Sequence, residues 1–239
     1  MNEFDDLNNK KEPEGGGSQE WLTTYADMMT LLFAFFVLLY SMSSPDPVKM
    51  SQIEDAMKKE AGFDGTLKSM SEIQNKFKEI VEDLNIKKTT NIISDPRGVA
   101  IEMDGDICFQ SASTDIKGTL QKILDSAAKK ILSNKDDYRM VIIEGHTDAD
   151  QIPEKLRKIY PTNWELSAAR ASNVVNYLIS RGVNSGRMQA SGYADRWPAE
   201  ASWFDVRSGK ITDKTVQKYN LTEQQKRKNR RIKIVFTNE

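Results

Sequence analysis

The stretch WLTTYADMMTLLFAFFVLLYSMSS, residues 21–44, is a long apolar run in a chain that is otherwise polar. Between Glu20 and Asp46 its only charged residue is Asp27. About 20 helical residues cover the roughly 30 Å hydrocarbon core of a bilayer, so this run predicts a single transmembrane helix. An acid at the centre of such a helix costs about 2.5–3.5 kcal/mol on insertion scales and normally faces protein or water. Asp27 therefore marks a candidate ion path.

Helical spacing places Asp27 on the same face as Thr23, Thr30, Ala34 and Ser41. Small and weakly polar side chains of this kind allow another helix to approach closely. This face therefore predicts a contact with a second helix and a polar environment for the carboxylate.

Two other interpretations of this run stay open. Ser41 and Ser43 offer small residues for signal-peptide cleavage, although an acidic residue, Glu20, precedes the run and Asp27 lies inside it. Alternatively, Asp27 lies only about two turns into the helix and reaches interfacial water. We favour a functional carboxylate.

The segment Trp21-Leu-Thr-Thr-Tyr-Ala-Asp27-Met-Met-Thr30, followed by Phe35-Phe36, resembles the membrane helix of the MotB family of flagellar motor proteins. The resemblance implies that Asp27 carries the coupling cation, and the shared helical face makes Thr23 and Thr30 supporting residues of the pathway. It also implies a homodimer surrounded by a polytopic MotA-type partner in the cell membrane. The N-terminus would be cytoplasmic and the C-terminal domain extracytoplasmic.

The charges that flank the helix do not settle this orientation, because lysines both precede and follow the run. The sequence also leaves the coupling ion undecided between proton and sodium. We favour the proton because a lone carboxylate is sufficient to carry it, whereas sodium needs several oxygen ligands.

Composition restricts the other functions that the chain could have. The 239 residues include 34 basic and 35 acidic side chains, so no overall field favours nucleic acid. A single cysteine, Cys108, excludes an internal disulfide and a multi-cysteine metal site, and a single histidine, His146, excludes a histidine-rich zinc site. The short basic cluster at 226–231 predicts a solvated helix end rather than a nucleic-acid site.

Two enzyme hypotheses have little support. Cys108 and His146 could form a nucleophile and base, but Cys108 lies in an apolar segment and no third group is evident. His146 and Asp148 provide two metal ligands, which is too few for a convincing site. We expect no catalysis, no bound metal and no cofactor other than the translocated ion.

The segments that flank the membrane helix are short. Residues 1–20 contain Gly15-Gly-Gly-Ser18 and mixed charges, which predict a flexible tail. Residues 45–62 contain an amphipathic stripe that includes Met50, Ile53 and Met57. The MotB resemblance implies that this segment is a plug that blocks ion flow, while an ordinary surface helix is the alternative.

Residues 63–86 predict a further helix. Met70, Ile73, Phe77, Ile80 and Leu84 recur at spacings of three and four residues. This pattern fits a two-heptad seam across a dimer axis. The seam is too short to be stable alone, so a helix packed in the core of the following domain is the competing interpretation.

From residue 87 onward, strand and helix patterns alternate. The predicted strands lie at 91–94, 98–103, 107–109, 139–143, 187–191 and 231–236, and the predicted helices at 116–132 and 163–181. Strands joined by helices indicate an α/β (α+β) two-layer domain with a mixed sheet over residues 87–239.

Four motifs of this domain occur in a specific order: Gly145-His-Thr-Asp148, Asn163-Trp-Glu-Leu-Ser167-Ala-Ala-Arg170-Ala-Ser-Asn-Val174, Gly192-Tyr193 and Asn229-Arg-Arg231. Together they resemble the OmpA-like peptidoglycan-binding domain. The resemblance implies that Asp148 and Arg170 clamp the diaminopimelate of a stem peptide. A carboxylate suits the ligand ammonium, and a guanidinium can hold its carboxylate with two hydrogen bonds.

The same resemblance places Thr147, Asn163, Leu166 and Ser167 along the peptidoglycan groove. Asn163 and Ser167 could instead cap the helix. Two segments depart from the minimal pattern, at 149–162 and 196–223, and the second contains Trp197, Trp203 and Phe204, which could cover the core or meet a partner.

The sequence thus predicts a peptidoglycan-anchored stator subunit of the flagellar motor. The alternative is a peptidoglycan-bound envelope tether, of the secretion-system or OmpA/Pal-like kind, with a passive membrane anchor. Asp27 discriminates between them, because a tether needs no acid inside the membrane.

Overall fold

A computed structural model of the chain describes residues 20–42, 53, 57, 68–110 and 113–238. The chain divides into two compact units, Met1–Ser44 and Pro45–Glu239. The first unit contains helix α1, Glu20–Met42. Within it, Trp21–Ser41 is long and apolar enough to span a membrane, and it is the one such helix among the described residues. The predicted apolar helix is therefore present.

The second unit is a mixed α/β domain. Its elements, in chain order, are α2 (Met70–Asp83), β1 (Thr90–Asp95), β2 (Gly98–Asp104), α3 (Gly105–Cys108), α4 (Gly118–Lys130), β3 (Val141–His146), α5 (Glu154–Arg157), α6 (Asn163–Ser180), a 3-10 turn (Ser185–Arg187), β4 (Met188–Gly192), α7 (Trp203–Arg207), α8 (Asp213–Lys218), α9 (Glu223–Asn229) and β5 (Arg231–Thr237).

The five strands form one sheet in the order β1-β2-β5-β3-β4. β3 and β4 are parallel, and the other three neighbouring pairs are antiparallel. Helix α6 forms the crossover between the two parallel strands, as such a connection requires. The predicted two-layer domain with a mixed sheet is confirmed.

One face of the sheet carries the hydrophobic core. Along β5, Ile232, Ile234 and Phe236 alternate with side chains that point to the other face. The apolar side chains of α2, α4 and α6 pack in the same buried cluster. Burial of this cluster is the main favourable term in the stability of the domain.

The opposite face of the sheet is polar and nevertheless buried. Lys233 on β5 lies directly across from Glu102 on β2 and Glu144 on β3, so opposite charges meet across the strands. The ring of Trp197 lies 5.4 Å from Lys233 Nζ and is itself buried. The predicted insertion after β4 thus covers this face through Trp197, whereas Phe204 remains 63% exposed.

The stripe on helix α2 belongs to the domain core. Ile73, Phe77 and Ile80 are buried, and the Phe77 ring lies 4.9 Å from the ring of Phe236 on β5. Over the described residues 68–86, these side chains are enclosed by their own domain, which favours the core interpretation over the dimer seam. The domain includes Met70 rather than starting at residue 87.

The predicted strand at 107–109 is also wrong. Residues Gly105–Cys108 form the short helix α3, and only Phe109 makes an isolated bridge, with Ile116. The sheet pairing of β2 ends at Asp104, opposite Arg231, and the next amide, that of Gly105, donates to the carbonyl of Arg230 at 2.6 Å. The chain therefore turns out of the sheet before the apolar residues that suggested a strand.

The segment predicted as a plug is described only at two positions. Ile53 and Met57 are helical and exposed, at 57% and 65%. Met50 lies outside the described residues, as do the N-terminal tail 1–19 and Ser43 and Ser44 at the end of the predicted membrane run.

Candidate functional site

Asp27 lies on helix α1, whose side chains from Trp21 to Ser41 are all exposed in the single chain. The Thr30 hydroxyl donates to the carbonyl oxygen of Asp27 at 2.8 Å, and Thr24 donates in the same way to Trp21. Such bonds satisfy threonine hydroxyls within a helix that crosses an apolar medium. The Thr30 bond involves only the backbone of Asp27. The Asp27 side chain is exposed in the single chain and is accessible to a helix that packs against α1.

Asp148 follows β3 and lies at the carboxyl end of this strand. It is 8% exposed, and its Oδ2 accepts a 2.6 Å hydrogen bond from Arg230 Nη1. Its Oδ1 accepts a weaker bond from the backbone amide of Asp150, at 3.3 Å. The carboxylate is thus held in place by an ion pair that the sequence analysis did not predict.

Arg170 lies one turn after Ser167 on α6 and is half-buried. Its Nε and Nη2 donate to the carbonyl oxygen of Ser113, at 3.3 and 3.1 Å, and its guanidinium lies over the Phe109 ring, 5.1 Å from the centroid. Burial lowers the pKa of Arg170 although the Asp148 carboxylate acts to raise it, and the charge of Arg230 adds to the lowering. An arginine nevertheless keeps its charge at any physiological pH.

Arg170 and Arg230 line one pocket of about 340 Å³. The other lining residues are Gly105, Asp106, Phe109, Gln110 and Lys117. Because Arg230 also binds Asp148, the structure joins both predicted clamp residues to this pocket. Two guanidiniums at its wall make it suitable for a carboxylate.

Arg230 is a residue of the candidate site that the sequence analysis did not predict. It belongs to the Asn229-Arg-Arg231 motif, which resembles a motif of the OmpA-like domain but does not by itself predict a role for any of its three residues. The pairing with Asp148 spans 82 positions of sequence. Opposite charge in two motifs of one domain was the signal that could have suggested the pair.

Asn163 supports the loop that carries Asp148. Its Nδ2 donates to the backbone carbonyls of Asp148, at 3.2 Å, and Asp150, at 3.3 Å. Asn163 is not the helix cap, since Thr162 is the N-cap of α6 and forms a capping box with Glu165.

Ser167 and Leu166 contribute to packing behind the site. The buried Ser167 Oγ donates to the carbonyl of Trp164 and accepts from the amide of Ala194, at 3.1 Å for both bonds. Leu166 packs with Ile152 and Leu156 in a small apolar cluster. Ser167 does not cap α6 either.

Thr147 is buried as well, and its amide donates to the carbonyl of Ala194 at 2.9 Å. Among the described residues, the lining of the two-arginine pocket includes neither Thr147, Leu166 nor Ser167. The longer segment 149–162 builds a separate pocket of about 340 Å³, which Asn163 also lines.

The residues of the enzyme hypotheses are enclosed. Cys108 is fully buried, and burial raises the pKa of its thiol. Burial, followed by the charge of Arg231, lowers the pKa of His146 to about 3. In the part of the chain that is described, no three His, Cys, Asp or Glu side chains group as a metal site.

Comparison with known proteins matches both halves of the chain. The family described as membrane MotB of the proton-channel complex MotA/MotB matches residues 7–60, and the OmpA family matches residues 108–212. The Bacillus subtilis protein YtxE is 31% identical over 92% of this chain and 88% of its own length. Motility protein B of the same organism is 23% identical over 95% of this chain and 94% of its own length.

The chain belongs to the MotB family. Its C-terminal part is an OmpA-like peptidoglycan-binding domain, and MotB-family proteins are membrane proteins with an anchoring rather than a catalytic role. Among solved structures, the cell wall anchor of the type VI secretion system from Pseudomonas aeruginosa is 27% identical, with a TM-score of 0.51. That similarity covers 68% of this MotB-family chain and 97% of the anchor.

Proposed function

We propose that this chain is the stator subunit of a flagellar motor, in which Asp27 carries the coupling cation. The observation that carries the proposal is the single acid in an apolar helix of 21 residues, in a chain that also has a peptidoglycan-binding domain. A passive anchor would gain stability from losing this carboxylate, because an acid in the bilayer is costly.

The mechanism follows from charge and anchoring. A single helix cannot line a channel, so a MotA-type polytopic partner surrounds a dimer of this chain in the inner membrane. Each cation that crosses moves down the electrochemical gradient and delivers about 2.3 kcal/mol per 100 mV. Asp27 changes between charged and neutralised states, and the resulting change in helix packing moves the partner against the rotor.

The extracytoplasmic domain resists the reaction torque. The guanidinium of Arg170 is fixed by two bonds to Ser113 and by the Phe109 ring, and Asp148 is fixed by its loop. Groups held in this way bind a stem peptide without much further ordering, which favours affinity. The segment 45–62 acts as a plug until the domain is docked.

The test measures cation influx in cells that co-express the MotA-type partner and this chain lacking residues 47–61. Influx should require the partner and should vanish with Asp27→Asn. Met28→Asn is the matched control, since it places the same amide one position along α1 and should retain influx. Running each strain with and without external sodium identifies the ion, which we expect to be the proton.

A second candidate function, the peptidoglycan-bound tether, is favoured by the similarity to the secretion-system wall anchor. Equal influx through assembled complexes of the unsubstituted chain and of the Asp27→Asn variant would overturn the ion-carrier role and favour this tether. Motility on soft agar with the intact plug provides the corresponding test of torque.

A further inference from the structure

Arg230 connects the carboxylate of Asp148 to the pocket of Arg170. Its backbone is fixed on both sides, because its amide donates to the Lys226 carbonyl at 2.9 Å and its carbonyl accepts from Gly105 at 2.6 Å. Its side chain is about a third exposed and lines the pocket. The backbone of Arg230 is therefore anchored, and its guanidinium lies at the edge of the pocket, held there by the ion pair with Asp148.

The charges around the pocket are unbalanced. Arg230 is paired with Asp148, whereas Arg170 has only neutral partners within bonding distance among the described residues, the Ser113 carbonyl and the Phe109 ring. Lys117 and Asp106 also line the pocket, so three cations and two carboxylates (Asp106 and Asp148) leave one positive charge for a ligand anion. A ligand ammonium, in contrast, meets an acid that Arg230 already neutralises.

We propose that Arg230 is a specificity-determining residue that moves from Asp148 to the ligand carboxylate when peptidoglycan binds. The inference rests on the proposed peptidoglycan-binding function of this site. The ligand ammonium replaces Arg230 on Asp148, and the released guanidinium joins Arg170 on the carboxylate. The pocket thereby selects an end group that carries both an ammonium and a carboxylate, as the free amino-acid end of a diaminopimelate does.

The number of ion pairs that each ligand forms explains this selection. A zwitterionic end group replaces one ion pair by pairs at Asp148, Arg170 and Arg230. A lone ammonium would leave Arg230 with only the longer contact to Asp106, at 3.8 Å, and a lone carboxylate would have to share Arg230 with Asp148. Because hydrogen bonds between charged groups are stronger than neutral ones and unpaired charges are costly, both single-charge ligands should bind weakly.

The surroundings allow the exchange. When Arg230 leaves, the amide of Asp150 still contacts Asp148 Oδ1 at 3.3 Å, and Asn163 still holds the loop through its carbonyls. Asp106 lies on the pocket wall, 3.8 Å from Arg230 Nε, and provides a second acid beside the new position of the guanidinium.

Calorimetry on the full-length chain in detergent tests the inference with three probes: meso-diaminopimelate, cadaverine (ammonium only) and pimelate (carboxylate only). The wild type should prefer diaminopimelate over cadaverine by about tenfold or more. Arg230→Gln should weaken diaminopimelate, strengthen cadaverine and bring the ratio of affinities close to one. Lys228→Gln removes a charge from the same helix region, away from the pocket, and should leave the ratio unchanged.

Arg230→Lys provides a second, conservative variant if the glutamine variant does not fold. It keeps a cation on Asp148 but lacks the paired donors of a guanidinium, so diaminopimelate should weaken while cadaverine stays excluded. An unchanged ratio in folded Arg230→Gln, or a wild type without preference, overturns the inference. If the wild type binds none of the three probes and no isolated sacculi, the peptidoglycan-binding function fails as well. If the wild type binds sacculi and Arg170→Gln abolishes this binding, the peptidoglycan-binding function stands and only the role of Arg230 is wrong.

Discussion

The backbone of Gly145 in β3 packs so closely on Ser167 in α6 that a Cβ atom at position 145 would lie 2.1 Å from the Ser167 carbonyl oxygen. Gly192 on the adjacent strand β4 meets the same helix, with an added Cβ 2.6 Å from the amide nitrogen of Ala168. Asp148 and Arg170 each follow this contact by three residues. The close approach of helix and sheet therefore sets the relative positions of the two clamp residues.

Gly145→Ala should destabilise the domain by about 1–3 kcal/mol, the usual cost of overpacking a well-packed interior. The added methyl group meets backbone rather than a flexible side chain, so helix and sheet must separate. Thermal unfolding measures the change, and sacculus co-sedimentation should weaken in parallel. Gly118→Ala is the control, since nothing lies within 4 Å of a Cβ there, and it should be neutral or slightly stabilising. A wild-type melting temperature for Gly145→Ala would contradict the packing argument.

Arg170→Lys should reduce binding to isolated sacculi by about tenfold, because an ammonium cannot reproduce two parallel hydrogen bonds to a carboxylate. The measurement is a co-sedimentation titration of the full-length chain. Arg181→Lys, at the C-cap of the same helix, is the matched control, since Arg181 is exposed, lies over the Tyr177 ring and pairs with Asp125. Equal loss in both variants would indicate a general charge effect rather than a clamp.

Phe77→Ala tests the place of helix α2. The buried ring contacts Phe236, so its removal should cost about 3–5 kcal/mol of the free energy of unfolding. Because the contact lies within one chain, the loss should be the same at low and high protein concentration. Lys78→Ala changes the exposed neighbour and should have little effect. A loss of stability that depends on protein concentration would restore the dimer-seam interpretation.

The sequence was sufficient for features that depend on local pattern. The apolar helix around Asp27 follows from composition, and strand β5 follows from its alternating side chains, which place Ile232 and Ile234 in the core. The stripe on α2 was ambiguous because a helix has the same spacing of apolar residues whether it faces a second chain or its own sheet. Only the tertiary structure decides between these partners.

Individual residues of the candidate site could be predicted from the sequence, but the contacts between them could not. Motifs identified Asp148 and Arg170, while the contact between Asp148 and Arg230 depends on how β5 is brought beside β3. The roles of Ser167 and Thr147 could not be predicted either, because serine and threonine occur both on the surface of a binding site and in the buried layer behind it. The spacing of apolar residues identifies which face of a helix or strand is buried, but it does not identify the element that packs against this face.

The ring of His146 lies in the polar, buried face of the sheet. It stacks on Tyr193 with centroids 5.4 Å apart, it is 2% exposed, and its Nε2 is 3.9 Å from Glu144 Oε2, which is longer than a hydrogen bond. Arg231 lies directly opposite on β5, and Lys233 lies two pairs further along, on the same face. Burial and then the Arg231 charge lower the pKa of His146 to about 3, although Glu144 acts to raise it.

This environment predicts a loss of stability on mild acidification. In the unfolded chain the histidine binds a proton below a pKa of about 6.5, and in the folded chain it does not do so until about pH 3. The unfolded state thus binds more protons in this window, so the free energy of unfolding falls as the pH falls. The slope approaches about 1.4 kcal/mol per pH unit, and stability is fully retained only above the unfolded pKa. Burial acts to raise the pKa of Glu144, but the nearby His146 ring and the Arg97 guanidinium, which donates to its Oε1 at 2.6 Å, lower it to about 2. The contribution of Glu144 is therefore lost only below about pH 4.5.

His146→Phe should therefore flatten the pH dependence between pH 6 and pH 5, where Glu144 stays ionised in both states. Phenylalanine keeps a planar ring against Tyr193 and carries no proton, and neither ring nitrogen of His146 has a hydrogen-bond partner to lose among the described residues. Urea unfolding of the full-length chain in detergent, followed by near-UV circular dichroism, gives the slope for each chain. The variant should lose about 1.4 kcal/mol less per pH unit than the wild type. Parallel slopes would mean that His146 takes up its proton in the folded domain as readily as in the unfolded chain, and the buried polar face would then be open to water.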